Sequence, residues 1–283
     1  MTKRIYLIGH PVSHSVSPTL QQAALDFHSV DALYQAIDVD NLSLSKVITH
    51  MRYIDILGAN VTVPHKEAVI PMMDIISDEV KAIGAVNTIE NRNGVLVGYN
   101  TDMLGFSRAL GEYQFDPKGK TALVLGAGGS AKSVVSALVN SGIHRIVIAN
   151  RTLERASILV DSIRSSVPDS QALDIRSSSI GAIAKESDLV VNCTSLGMKG
   201  SRGEAVLPLE ADGLSSDMIV FDLVYNPSQT LFLTEAATVG ATTVNGLSML
   251  VHQGAASFEI WTGLYGPKDV MMEAAHGALG ERQ

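Results

Sequence analysis

Lys66 is the first residue that could do chemistry, because of where the sequence places it. It ends residues 57–66, Leu-Gly-Ala-Asn-Val-Thr-Val-Pro-His-Lys, in which a β-branched strand stops at Pro64. The apolar residues that follow are spaced as in a helix: Val69, Met72, Met73 and Ile76. Since proline suits the first helical position, the segment predicts a helix from Pro64. Lys66 would lie in its first turn, where the dipole disfavours a cation, and is therefore a catalytic candidate; the alternative is a solvated lysine paired with a nearby glutamate.

Asp102 is the second candidate, because a carboxylate and a lysine can hold and transfer a proton together. The tripeptide Asn100-Thr101-Asp102 precedes residues with helical spacing, namely Met103, Phe106 and Leu110. Asp102 could simply cap this helix. If the two loops meet, it would instead form a proton-handling pair with Lys66.

Ser15 and Ser17 are candidates in the loop Gly9-His-Pro-Val-Ser-His-Ser-Val-Ser-Pro18. Ser17 is placed to cap the helix that follows, with Pro18 as its first residue, whereas Ser15 has no such local role. His10 and His14 share this loop and His65 lies in another; without a helix to align them and without nearby cysteines, they disfavour a metal site.

A glycine-rich turn follows a buried-type strand in Val124-Leu-Gly-Ala-Gly-Gly-Ser-Ala-Lys-Ser-Val134. Its glycines allow backbone N–H groups to approach a pyrophosphate at a helix N-terminus. Ala131 occupies the position of the third glycine of a dinucleotide-binding turn. The segment also resembles a phosphate-binding P-loop, but alanine precedes Lys132 where that motif requires glycine. A turn without any ligand is the other alternative.

The residues after the next strand favour the dinucleotide. They are Asn150-Arg-Thr-Leu-Glu-Arg155, at the place where an NAD site would have an acidic residue for the ribose hydroxyl groups. Arg151 and Arg155 are four residues apart, so both could reach one anion if a helix starts near Thr152. Guanidinium groups match phosphate geometry. The predicted cofactor is therefore NADP, bound through its 2′-phosphate.

These residues require a scaffold of alternating strands and helices. Strands are predicted at 4–8, 33–39, 59–63, 121–125, 145–149, 189–192, 219–223 and 241–244. The helical patterns between them indicate an α/β protein with mostly parallel sheets. Residues 85–98 are the exception, because Asn93-Gly94 between two short β-branched runs predicts a hairpin with a type I′ turn. The turn-rich stretch 111–120 is typical of a domain boundary.

Composition excludes several classes of protein. The 283 residues are 46% hydrophobic, enough for one large or two medium domains. A net charge of −8 without a basic run argues against nucleic-acid binding, and no apolar run is long enough to span a membrane. Cys193 is the single cysteine, and the sequence has no secretory leader pattern, so we expect a cytoplasmic protein.

Taken together, these motifs resemble the shikimate dehydrogenase family, from the first strand to the last helix. The matching segments follow the order of that family: 15–18, 60–66, 84–88, 98–102, 126–129, 150–152, 192–194 and 245–253. The resemblance implies a substrate domain of residues 1–103 completed by 245–283, and a Rossmann-type NADP-binding domain of residues 104–244, with the reaction in the cleft between them. It also implies reversible reduction of 3-dehydroshikimate to shikimate.

The resemblance assigns roles residue by residue. Lys66 and Asp102 would be the catalytic pair. The substrate-binding residues would be Ser15 and Ser17 for the carboxylate, Asn60, Thr62, Asn87, Asp102 and Gln253 for the ring hydroxyl groups, and Tyr225 near the cofactor side of the cleft. The cofactor-binding residues would be Gly126, Ala127, Gly128, Gly129, Ser130, Asn150, Arg151, Thr152, Arg155, Thr194, Leu223 and Gly246. The family needs no metal, its partners are small molecules, and a monomer or homodimer is expected.

The chain departs from the family pattern at a few positions. Ser130 and Lys132 stand where many members have alanine and arginine, and Ser248 replaces a glycine close to the expected nicotinamide. Ser17 favours shikimate, since relatives that act on quinate typically have threonine there. Alternatives are a quinate or aminoshikimate dehydrogenase of the same family, or an NADP-binding sensor without catalysis.

Overall fold

The computed structural model describes residues 2–280, and the chain divides into two compact units. Unit 1 contains the residues up to Arg108 and those from Met249 onward, whereas unit 2 is Ala109–Ser248. The strands are β1 (Lys3–Gly9), β2 (Ala32–Asp38), β3 (Ile56–Val61), β4 (Ile75–Ile76), β5 (Thr88–Arg92), β6 (Val95–Tyr99), β7 (Thr121–Leu125), β8 (Arg145–Asn150), β9 (Gln171–Asp174), β10 (Leu189–Asn192), β11 (Ile219–Asp222) and β12 (Thr242–Asn245).

The helices complete an α/β architecture, which confirms the predicted fold class. They are α1 (Ser17–Phe27), α2 (Leu44–His50), α3 (Asp78–Ile83), α4 (Asp102–Gly111), α5 (Gly129–Asn140), α6 (Leu153–Ile163), α7 (Ile180–Lys185), α8 (Leu231–Thr238), α9 (Leu247–Thr262) and α10 (Lys268–Leu279). Among the described residues, no helix combines the length and apolarity needed to cross a bilayer.

Unit 1 contains a mixed sheet with the strand order β2-β1-β3-β5-β6-β4. The first three strands are parallel, whereas β5 is antiparallel to both β3 and β6. The predicted hairpin is confirmed: Arg92 pairs with Val95, and the intervening Asn93 and Gly94 have φ values of 53° and 94°, as a type I′ turn requires. Side chains on one face of this sheet, such as Ile8 and Leu96, form a fully buried core together with Met51, which follows α2.

Unit 2 contains a parallel sheet with the order β12-β11-β10-β7-β8-β9. This is the classic order of a Rossmann fold, and the direction of connection reverses between β7 and β10. The carboxyl ends of β10, β11 and β12 are in register, so that Asn192 pairs with Asp222 and Asp222 with Asn245. Three polar side chains therefore lie in a row at the edge of the sheet where ligands bind in this fold.

The predicted helix starting at Pro64 is wrong. Residues 63–69 form successive turns, and only Ile70–Met72 form a short 3₁₀ helix. Pro71 explains the difference, since its ring clashes with the carbonyl four residues earlier and it lacks an N–H, so a helix cannot pass through it. Ile76, counted in the helical pattern, lies instead in β4. Lys66 is thus held by turns rather than by a helix N-terminus.

Candidate functional site

Lys66 and Asp102 meet in unit 1, although they are far apart in the sequence. Lys66 Nζ donates to Asp102 Oδ2 at 2.5 Å, and the other carboxylate oxygen accepts from Asn87 Nδ2 at 2.8 Å. The side chains of Lys66 and Asp102 are only 11% and 7% exposed. An ion pair this well buried and hydrogen-bonded fixes the position of the ammonium group, which a solvated surface pair would not do.

Three different elements supply these groups. Lys66 lies in the turns after β3, where its carbonyl accepts from the N–H of Val86 at 2.8 Å. Asn87 immediately precedes β5, and Asp102 is the first residue of α4. The proposed cap role of Asp102 is wrong: the N–H of Met103 donates to the side-chain oxygen of Asn100 at 3.2 Å, which leaves the Asp102 carboxylate for Lys66.

A buried polar network continues from Asn87 towards α9. Asn87 donates to Gln253 Oε1 at 3.2 Å and to Thr101 Oγ1 at 2.9 Å, and its oxygen accepts from the Thr101 N–H at 2.7 Å. Ser257 Oγ lies 3.1 Å from Thr101 Oγ1 and 2.7 Å from Thr88 Oγ1. Satisfied hydrogen bonds of this kind rigidify a buried site.

Asn60 is the far end of the same network. Its amide nitrogen donates to Ser257 Oγ at 3.0 Å and to Thr88 Oγ1 at 3.2 Å, while its oxygen accepts from the hydroxyl of Tyr34 at 2.8 Å. Asn60 is therefore held in one orientation. The structure thus brings together five of the sequence-predicted residues: Lys66, Asp102, Asn87, Gln253 and Asn60.

The sequence analysis missed the residues that hold these five in place, namely Tyr34, Thr88, Thr101 and Ser257. Ser257 could have been found, because it lies four residues after Gln253 and therefore on the same face of α9. Tyr34 lies in β2 and meets Asn60 in β3 only through the order of the sheet, for which the sequence carried no signal.

Ser15, Ser17 and Thr62 also belong to unit 1, but the hydrogen bonds of the network described above do not include their side chains. The predicted cap role of Ser17 is wrong, because α1 begins at Ser17 itself, with Val16 at the cap position and no side-chain cap bond. Ser15 has the local role instead: its hydroxyl accepts from the N–H of Ser17 at 3.2 Å. Thr62 directly follows β3, and its N–H donates to the carbonyl of Ile8 at 2.8 Å.

His65 and His10, two of the three histidines named above as possible metal ligands, lie in different environments. His65 is fully buried and its Nε2 donates to the carbonyl of Val39 at 2.6 Å. His10 is exposed and hydrogen-bonds Asp38, which raises the pKa of the imidazole. Within residues 2–280, no group of three or more histidine, cysteine or acidic side chains is placed to hold a metal ion.

The glycine turn of unit 2 connects β7 to α5 in a conformation that glycine permits. Gly126 has φ +113°, and a Cβ there would lie 3.2 Å from the backbone of Cys193. A Cβ on Gly128 would meet nothing within 4 Å, so the chain is open at this point. Gly128 is the cap residue of α5 and, having no side chain, makes no side-chain cap bond. A ligand can therefore approach the first N–H groups of this helix. Ser130 lies in the same first turn.

The basic residues follow β8. Thr152 is the cap residue of α6, so Arg151 precedes the helix and Arg155 lies in its first turn, both exposed. Asn150 ends β8 and its amide donates to the carbonyl of Thr152 at 2.8 Å, which fixes the turn that carries Arg151. These cations follow the strand next to β7, where a 2′-phosphate lies in a Rossmann fold.

The remaining cofactor candidates of unit 2 follow β10, β11 and β12. Thr194 donates from its hydroxyl and its N–H to Asn192 Oδ1, at 2.7 and 3.0 Å. A Cβ on Gly246 would lie 2.1 Å from the carbonyl oxygen of Leu223, so only glycine fits there. Tyr225 is half-buried in the loop after β11, within unit 2.

These features fit a dinucleotide. An open glycine turn at a helix N-terminus can take a pyrophosphate, and exposed arginines after the next strand can take a second anion. Of the departures noted in the sequence, Ser248 has a defined contact: its hydroxyl donates to Glu112 Oε2 at 2.5 Å.

Comparison with known proteins agrees with this geometry. The model of the shikimate dehydrogenase substrate-binding domain matches residues 7–89, that of the shikimate/quinate 5-dehydrogenase family matches residues 109–227, and that of the shikimate 5′-dehydrogenase C-terminal domain matches residues 246–276. The matches cover both units.

Similar whole proteins extend the comparison. A shikimate dehydrogenase (NADP⁺) of Symbiobacterium thermophilum is 45% identical over 96% of this chain and 93% of its own length, and one of Methanopyrus kandleri is 42% identical over 96% and 94%. The crystal structure of the Thermus thermophilus shikimate 5-dehydrogenase with NADP(H) and shikimate has a TM-score of 0.86 at 35% identity, over 98% of this chain and 99% of that one. The resemblance found in the sequence is therefore confirmed: this chain belongs to the shikimate dehydrogenase family.

Proposed function

We propose that this protein catalyses the NADP-dependent, reversible reduction of 3-dehydroshikimate to shikimate. The observation that carries the proposal is the buried pair of Lys66 and Asp102, held by Asn87 inside a network of neutral hydrogen-bonding groups. Family membership supplies the class of reaction, and relatives of this family are named as NADP-dependent enzymes. When bound, NADPH supplies the hydride.

In this reaction the ring carbonyl becomes an alkoxide, which needs a proton. The ammonium group of Lys66 stabilises the developing negative charge and donates a proton to that oxygen, so that the product is the neutral alcohol. In the oxidation, neutral Lys66 takes the same proton back. Asp102 keeps Nζ at a fixed position and accepts from a substrate hydroxyl with the lone pairs that Lys66 and Asn87 leave free.

The other polar residues of unit 1 bind and orient the substrate. Asn60, Asn87, Gln253 and Thr62 hydrogen-bond the ring hydroxyl groups. Ser15 and Ser17 bind the carboxylate, with Ser15 oriented by the N–H of Ser17. Because the amide groups are already oriented by one another, little side-chain entropy is lost when the substrate binds.

Unit 2 binds the cofactor. Gly126, Ala127, Gly128, Gly129 and Ser130 form the pyrophosphate-binding turn, and Asn150, Arg151, Thr152 and Arg155 bind the 2′-phosphate. Thr194, Leu223 and Gly246 bind the nicotinamide half, and Tyr225, in the loop after Leu223, contacts the substrate. The proposed substrate domain is residues 1–103 completed by 245–283, and the proposed NADP-binding domain is residues 104–244.

The substrate test compares initial rates on shikimate and quinate with NADP⁺ and NAD⁺, read as absorbance of the reduced nicotinamide. Quinate has an additional hydroxyl on the carbon that bears the carboxylate, and a site built for the flatter shikimate ring leaves it unpaired or crowded. We expect kcat/KM for shikimate to exceed that for quinate at least about tenfold, since an unpaired polar group costs roughly 1–3 kcal/mol. Comparable values would identify a dual-substrate enzyme, and no oxidation of either acid would identify a binding protein.

Two further expectations accompany this function. The single cysteine and the biosynthetic role of the family are consistent with a cytoplasmic enzyme. A monomer or a homodimer is expected, which sedimentation of the purified chain would decide.

A further inference from the structure

Asp222 is a buried carboxylate to which the proposed mechanism gives no role. It ends β11 and is 0% exposed. Its Oδ1 accepts from Asn192 Nδ2 at 2.8 Å and from the N–H of Val224 at 3.0 Å, and its Oδ2 accepts from the hydroxyl of Thr230 at 2.8 Å. Every group that faces it is neutral, and no described basic side chain forms an ion pair with it. Burial raises the pKa of Asp222 to about 6.

Each of the three donors is tied to a separate loop. Asn192 uses its own oxygen to hold Thr194, as described above, and its nitrogen also donates to the carbonyl of Leu196 at 3.2 Å. Val224 accepts at its carbonyl from the N–H of Gly246 at 3.2 Å. Thr230 caps α8 by accepting from the N–H of Leu233 at 3.2 Å. One carboxylate therefore links the segments that follow β10, β11 and β12.

These segments belong to one half of the cofactor site. A Rossmann sheet is built from two halves, each of which binds one nucleotide. The half formed by β7, β8 and β9 carries the glycine turn and Arg151, so it takes the adenosine 2′-phosphate. The half formed by β10, β11 and β12 is left for the nicotinamide nucleotide.

We propose that Asp222 is a positioning residue that holds Thr194, Leu223 and Gly246 in place for the nicotinamide half of NADP, and that it acts through its three hydrogen bonds rather than its charge. The inference rests on the proposed function, since it needs a dinucleotide in unit 2. Its specific consequence is that the two halves of the cofactor respond differently when the hydrogen bonds are lost.

The substitutions separate hydrogen bonding from charge. In Asp222→Ala the amide of Asn192 and the N–H of Val224 lose their acceptor, and the loops after β10 and β11 are released. In Asp222→Asn the remaining oxygen still accepts both groups. The new amide donates to Thr230, whose hydroxyl turns to accept it. Asp222→Asn is therefore the matched control that keeps the hydrogen bonds and removes the charge.

The experiment measures two dissociation constants for each full-length variant: that of NADPH, from its fluorescence, and that of adenosine 2′,5′-bisphosphate, which carries the adenosine half alone. We expect Asp222→Ala to weaken NADPH at least about tenfold, the scale of lost hydrogen bonds to a charged group, and to change binding of the bisphosphate less than about twofold. Asp222→Asn should remain within about threefold of the wild type for both ligands.

Three outcomes would overturn the proposal. Equal losses for both ligands would mean that Asp222 supports the whole unit, and no loss for NADPH would mean that the loops do not need it. An equal defect in Asp222→Asn and Asp222→Ala would mean that the charge acts, not the hydrogen bonds. If the wild type binds neither ligand, the proposed function itself fails. This outcome is read from the wild type alone and is therefore distinct from any result with the variants.

A milder pair of variants covers the case in which Asp222→Ala does not fold. Thr230→Val removes one of the three donors and keeps the shape of the side chain, whereas Thr230→Ser keeps the hydroxyl. We expect NADPH to bind about threefold more weakly to Thr230→Val than to Thr230→Ser, with equal binding of the bisphosphate. Equal NADPH affinities in this pair would also reject the role of Asp222.

Discussion

The two units build their sites from different materials. In unit 1 five of the candidate residues are buried side chains in one hydrogen-bonded network, in which Asn87 by itself contacts Asp102, Thr101 and Gln253. In unit 2 the glycine turn offers mainly backbone groups, and Arg151 and Arg155 are exposed. The difference fits the ligands, because a small ring with several hydroxyl groups needs many fixed partners, whereas a long cofactor with several phosphate charges needs an open surface with positive charge.

This contrast also predicts how each site responds to substitution. Removal of one member of a buried network leaves other groups unpaired, so the effect is large and falls on catalysis. Removal of one exposed cation loses one contact, and the effect falls on binding. The four predictions below test this contrast, from the largest expected effect to the smallest.

Lys66→Ala should give the largest loss. We expect kcat to fall by about 100- to 10,000-fold, the range for a general acid or base, while KM for shikimate changes little. Steady-state rates of shikimate oxidation measure both. Lys81→Ala, which removes an exposed lysine paired with Asp78, is the control and should leave both unchanged. Near-wild-type turnover in Lys66→Ala would remove Lys66 from the mechanism.

Asp222 makes unit 2 sensitive to pH in a way that its exposed cations cannot. The pKa of this carboxyl is raised to about 6 in the folded chain, against 3.8 for the free side chain, so its protonated form is favoured by folding. Its contribution to stability is therefore full below about pH 4 and is lost as the pH rises through 6. Between pH 4 and pH 7, the free energy of unfolding of the wild type should fall by up to about 3 kcal/mol relative to Asp222→Asn.

Urea unfolding of both proteins across this range measures that difference. All other titrating groups are common to the two chains and cancel. Parallel pH curves would show that Asp222 titrates normally, and a difference that grows in the opposite direction would show that its folded pKa is lowered.

Arg151→Ala should act on the cofactor alone. We expect KM for NADP⁺ to rise roughly tenfold, the scale of a lost charge-assisted hydrogen bond, and KM for NAD⁺ to stay within about twofold, because NAD⁺ has no 2′-phosphate. Arg164→Ala, at the other end of α6 and paired with Asp161, should change neither constant. Equal losses with both cofactors would mean that Arg151 has a structural role.

Ser15→Ala should have the smallest effect. Its hydroxyl is half-buried and outside the hydrogen-bonded network, so we expect KM for shikimate to rise about three- to tenfold with little change in kcat. Ser13→Ala, two residues earlier and exposed, is the control for the loop. A fall in kcat that exceeds the rise in KM would mean that Ser15 acts in catalysis together with the buried network, and would contradict the contrast.

The contrast also explains what could be predicted from the sequence. The glycine turn, β7 and β10 were predicted because their signals are local: the strand bounds 121–125 and 189–192 agree with the structure. The hairpin at Asn93-Gly94 was predicted for the same reason. The pairing of Lys66 with Asp102 is not local. From the sequence it could be stated only conditionally, for the case in which the two loops that carry these residues meet.

The errors have physical causes as well. The helix after Pro64 was predicted from apolar spacing, which gave no weight to Pro71. The cap role of Ser17 and the alternative cap role of Asp102 rested on residue type, but α1 has no side-chain cap bond and the N–H of Met103 donates to Asn100. Ser257 meets Asn60 across 197 positions of sequence, and such contacts depend on the order of strands rather than on any short pattern.

The division of the chain also sets the order in which the protein can fold during its synthesis. Unit 2 is one continuous segment, Ala109–Ser248, so all of its strands are synthesised before α9 and α10. Unit 1 needs those last helices, since Gln253 and Ser257 close its polar network and Gly254 accepts from Gln21 of α1 at 2.9 Å. All strands of unit 2 are therefore synthesised at a time when the buried asparagines and threonines of unit 1 still lack the hydrogen-bond partners that α9 supplies.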